Sequence, residues 1–165
     1  MFRRRAREPE LAPLYGAIVA AARSPDWYRQ GGVPDTLDGR FDMVAAVLVL
    51  VLLRIEREGE AGRAPTAMLA ERFIDDMDSQ LRQIGIGDIV VGKHVGKMMS
   101  ALGGRLGAYR DGLAGGDLTA ALARNLYRGA EVAPDAMAFS ETRLRQLAER
   151  LAATPIDLLL AGQLP

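Results

Sequence analysis

The chain has 165 residues, 49% apolar and 25% charged, which is enough to bury a core without staples and is the balance of a globular protein. Lys plus Arg and Asp plus Glu both number 21, so no net field draws the molecule to nucleic acid or to an anionic membrane. There is no cysteine, which excludes disulfides, thiolate catalysis and cysteine-held metals and suits a reducing, cytoplasmic setting.

Residues 1–8 are basic and run into Pro9 and Glu10 without the apolar stretch of a secretory signal, so they are predicted to be a frayed end. Residues 9–165 are predicted to form one compact all-α domain, since no sustained period-2 pattern bounded by hairpin turns occurs. An alanine-rich helix runs from Pro9 to Ala22. Ser24 and Pro25 then cap and open a short turn carrying Trp27 and Tyr28. Residues 31–39 are predicted as a loop. The segment from about 40 to 58 is apolar on all sides for three turns, which marks it as the central buried helix. Its apolar run, Met43 to Leu53, would span only about 16 Å as a helix, too short for a bilayer core of roughly 30 Å.

Gly59, Gly62 and Pro65 break the chain before a helix over 66–83, with Leu69, Phe73, Met77 and Leu81 on one side. Beyond Gly85 and Gly87, Asp88 caps a long helix whose apolar stripe is Val91, Val95, Met98, Leu102, Leu106, Tyr109 and Leu113. Asp117 caps a helix to Tyr127 and Ser140 caps another to Ala153. Thr154 and Pro155 open a last short helix, whose Ile156, Leu158, Leu159 and Leu160 are predicted to be buried.

Asp75, Asp76 and Asp78 lie within one turn, and Glu71, Asp75, Asp78 and Arg82 follow one helix edge at spacings of four, three and four. Such carboxylates could hold Mg²⁺ for a diphosphate-binding enzyme, but no second acidic helix exists to face them. A solvated face is the plainer reading. Between the two stands a docking edge, because like charges at adjacent positions repel by a few tenths of a kcal/mol per pair and a basic partner relieves that cost. Gly87, Gly92 and Lys93 have the spacing of a phosphate loop. His94 stands where Ser or Thr would bind Mg²⁺, however, and a helix rather than a strand precedes the loop. His94, the single histidine, rules out histidine-based metal centres, and with Lys93 and Lys97 it makes a small basic edge. Gly92, Gly96, Ser100, Gly103 and Gly107 share an arc of about 80° and suggest close approach by another helix, internal or from a self-associating copy.

The blocks Val33-Pro34-Asp35-Thr36-Leu37-Asp38-Gly39-Arg40-Phe41-Asp42-Met43 and Asp76-Met77-Asp78-Ser79-Gln80-Leu81-Arg82-Gln83-Ile84-Gly85-Ile86-Gly87-Asp88 resemble the signature of the ubiquinol-cytochrome c chaperones. The likeness runs from about Leu14 to Leu113 and includes Lys93, Lys97 and Met98. It departs at Gln83, where the family usually has Glu, and in the buried helix, where aliphatic residues replace a common histidine. The resemblance implies an all-helical assembly factor of the cytochrome bc1 complex, without enzymatic activity, cofactor or metal. It implies a protein client, newly made cytochrome b or another bc1 subunit, and peripheral association with the membrane through that client. The residues predicted to dock it are Glu71, Asp75, Asp76, Asp78, Arg82, Asp88, Lys93 and Lys97.

Overall fold

A computed structural model of the chain describes residues 11–83, 85 and 88–165, with only the backbone for 88–95, so the basic segment 1–8 lies outside the described residues. Helices account for the regular structure, and no strand occurs among the described residues.

The centre is α3 (Leu37–Glu56), in which every residue from Met43 to Leu52 is buried. Several of these are β-branched valines with modest intrinsic helix propensity, so packing on all sides holds the helix. It is surrounded by α1 (Ala12–Ala22), α4 (Arg63–Gln83), α5 (Asp88–Leu113) and α7 (Pro134–Ala153). The buried apolar residues form one contiguous cluster from Leu11 to Leu159. α3 begins three residues earlier than its apolar pattern indicates, because Thr36 caps it: its hydroxyl accepts the Gly39 amide at 3.0 Å. Glycine is required at position 39, where a Cβ would sit 1.8 Å from the Pro34 carbonyl oxygen.

Each neighbour buries a narrow stripe. α1 inserts Leu14, Ile18 and Ala22 at four-residue spacing. The short α2 (Pro25–Arg29) buries Trp27, whose indole N–H donates to the Ala21 carbonyl at 2.9 Å. Leu69, Phe73 and Met77 do the same for α4, entered through a 3₁₀ turn at Gly59–Gly62. On α6 (Leu118–Asn125) the Asp117 carboxylate caps the helix by accepting the Ala120 amide at 2.9 Å, as its sequence suggests. α8 (Ile156–Leu160) closes the chain.

Three expectations need correction. Ser140 is not a cap: α7 starts at Pro134, whose fixed φ suits a first helical position, and Ser140 lies inside the helix, fully buried beside the Tyr127 hydroxyl. The glycine row on α5 does not receive an internal helix, since a Cβ at Gly96, Gly103 or Gly107 would meet nothing within 4 Å. These glycines lie opposite the stripe of Leu102 and Tyr109, on the side of α5 turned away from the core. The apolar C-terminal run is divided: Leu159 is buried, whereas Leu158 is 43% exposed.

Candidate protein-docking face

The carboxylates of α4 separate by helical geometry. Glu71 and Asp75 are exposed, and Asp78 lies on the same edge, where it pairs with the Arg82 guanidinium at 3.0 Å. Asp76 is about 100° round the helix from Asp75 and points to α1. There it accepts the Tyr15 hydroxyl at 2.6 Å and the Gln80 amide at 3.2 Å. Burial, together with the hydrogen bond to Asp76, keeps the Tyr15 phenol protonated far above the usual tyrosine range. The acidic sequence cluster therefore resolves into an outward edge (Glu71, Asp75, Asp78) and one structural carboxylate. The divergence bears on the diphosphate alternative, because among the described residues no three acidic or histidine side chains converge where a cation could sit.

On the neighbouring side, residues of α3, α4 and α5 line an open groove of about 340 Å³ at the start of α3. Phe41, Met77, Leu81 and Met98 line its floor, with Leu37 at its edge. Lys97 stands exposed on its α5 wall. Of the predicted basic edge, Lys97 has a described side chain, whereas those of Lys93 and His94, and that of the predicted docking residue Asp88, lie outside the described residues.

A buried ionic cluster behind this groove escapes the sequence reading. Asp42, 1% exposed, accepts from Arg105 at 2.7 Å and from Arg128 at 2.7 and 3.1 Å. Burial raises the Asp42 carboxyl above its ordinary value, while the two guanidiniums act to lower it. Arg105 also stacks over the Phe41 ring, 5.6 Å from its centroid. Arg128 has φ +52°, a left-handed conformation that costs a non-glycine residue roughly 1–2 kcal/mol. Its ion pairs with Asp42 and Asp38 offset that strain and tie the α6–α7 connection to α3. The sequence carries a signal for two of the three: Asp42 directly precedes the apolar run Met43 to Leu53, and Arg105 occupies a stripe position between Leu102 and Tyr109. A second link joins Tyr127 to the turn after α2, its hydroxyl donating to the Gly31 carbonyl with the Ser140 hydroxyl 2.7 Å away.

The fold and surface define an all-helical protein that presents a charged edge and an apolar groove. Its family follows from comparison with known proteins: the model of the Ubiquinol-cytochrome C chaperone family matches residues 29–164, and the chain belongs to that family. The crystal structure of the Cbp3 homolog from Brucella abortus is similar, with 36% sequence identity, a TM-score of 0.81 and coverage of 93% of this chain and 86% of that one. No curated protein sequence matches the chain. Among the described residues, no helix is long and apolar enough to cross a membrane.

Proposed function

We propose that the chain is an assembly chaperone of the ubiquinol-cytochrome c reductase complex, binding newly made cytochrome b or another subunit and performing no chemistry on it. The observation that carries this reading is the family match over residues 29–164, supported by the likeness of the whole fold to a Cbp3 homologue. In this reading residues 9–165 act as one unit, in the cytoplasm and at the membrane surface through the client.

The client docks along Glu71, Asp75, Asp78 and Arg82 of α4 and along the Asp88, Lys93 and Lys97 side of α5. Asp76 contributes by fixing α1 against that edge through Tyr15. Opposite charges on adjacent edges set orientation and encounter rate more than affinity, which suits a client that must later be released.

The test is capture of the tagged chain from its own cells in mild detergent, with the bound proteins identified by mass spectrometry. Subunits of the bc1 complex are expected to be enriched with the native chain and several-fold less with Asp75→Lys, Asp78→Lys. No bc1 subunit with the native chain would overturn the client. Equal recovery with a charge-reversed variant of unchanged melting temperature would overturn the docking edge.

A further inference from the structure

The groove over the start of α3 combines three properties that a merely solvated surface lacks. Its floor is apolar on all three helices, through Phe41 of α3, Met77 and Leu81 of α4 and Met98 of α5. Leu37, 46% exposed, extends the floor to the rim as one of the few large apolar side chains left open to water among the described residues. Two of the floor residues are methionines, whose unbranched, polarisable side chains repack around apolar partners of differing shape.

The third property is charge. Arg105 and Arg128 reach the groove, but both are engaged by Asp42, and Arg128 by Asp38 as well. Lys97 is exposed on the same wall, and no carboxylate among the described residues pairs with it. Among the described residues, one positive charge therefore stands uncompensated beside an apolar floor.

We infer that this groove seats an apolar helix of a partner protein, and that a carboxylate flanking the apolar stripe of that helix meets Lys97. The groove is open to solvent. A single acyl chain laid in it would keep a flank in water, whereas a helix that inserts anchors at i, i+3 or i+4, and i+7 covers the opening with its own body. Adaptable methionines on the floor fit a partner read by apolar spacing rather than by one side-chain shape, and Lys97 supplies the register. The inference deepens the client reading and rests on it for the source of the helix.

The probe is a fluorescein-labelled synthetic helix of roughly 16 residues, about four turns, with leucines at that spacing and one glutamate on the flank. Binding to the full chain is followed by fluorescence anisotropy. Saturable binding is expected, weakened roughly three- to tenfold by Lys97→Glu and regained when the glutamate of the peptide is exchanged for lysine. Circular dichroism checks that Lys97→Glu, a change at an exposed position, keeps the helical content. Met98→Asp is expected to abolish binding, and the charge exchange decides the matter if that variant fails to fold. Unchanged affinity with Lys97→Glu would overturn the inference, as would displacement of the peptide by laurate or anionic vesicles with no response to the charge exchange. A native chain that captures bc1 subunits yet binds no such peptide loses the groove and keeps the client. A chain that binds the peptide with the charge exchange intact and captures no bc1 subunit keeps the groove and loses the client.

Discussion

Asp42→Ala is expected to destabilise the chain by about 3–5 kcal/mol, the range for removing one partner of a buried ion pair. For a domain of this size that lowers the melting temperature by roughly 6–20 °C, read by circular dichroism at the helical minimum. The cost comes from what stays behind: the Arg105 guanidinium, 10% exposed, would face an apolar cavity with no carboxylate to neutralise it. Arg128 is 46% exposed and can turn to solvent, so Arg128→Ala is expected to cost far less than Asp42→Ala. The double change Asp42→Leu, Arg105→Leu should recover much of the loss, because replacing a buried ion pair by apolar side chains removes its desolvation penalty. A double variant as unstable as Asp42→Ala would show that packing around Asp42, rather than charge, holds the two helices together.

Phe73→Ala should cost a similar amount, roughly 3–5 kcal/mol for a fully buried aromatic ring. Phe73 lies in the middle of α4, its ring 5.3 Å from that of Phe41 and tilted by 42°. Removing it takes away the wall that holds the groove floor in place. The expected result in a chemical denaturation series is a lower midpoint with an unchanged slope. Phe73→Leu, which refills most of the volume, should lose clearly less. If Phe73→Ala kept the native midpoint, the α3–α4 contact would not belong to the cooperative core.

The sequence made the helical class and the position of α3 legible, because an apolar run of eleven residues from Met43 to Leu53 has no polar side to give to water. Asp117 marked a helix start by its capping chemistry and Pro25 another by its place at the first helical position, whereas Ser24 makes no side-chain cap hydrogen bond and the cap at Thr36 went unread within a segment expected to be a loop. Ser140 misled for the same reason: a serine before a polar helical stretch has the composition of a cap, and only the tertiary fold reveals that its hydroxyl belongs to Tyr127. The glycine row misled because spacing places residues on one side of a helix without saying whether anything covers that side. At the surface, the edge of Glu71, Asp75, Asp78 and Arg82 was readable from spacing alone. The role of Asp76 was not, because Tyr15 is 61 residues away in sequence. The groove was invisible for a related reason, since Phe41, Met77 and Met98 look like ordinary core positions until the packing of three helices brings them to one groove.

If this chain serves assembly of the ubiquinol-cytochrome c reductase complex, the content of that complex in membranes depends on it. Membranes from cells lacking the protein are compared with those of the parent by reduced-minus-oxidised difference spectra and by ubiquinol-dependent reduction of cytochrome c. A several-fold fall in cytochrome b signal and reductase activity is expected, restored by the native chain and only partly by Lys97→Glu or by Asp75→Lys, Asp78→Lys. A strain lacking the protein that keeps its full complement of assembled, active complex would contradict it.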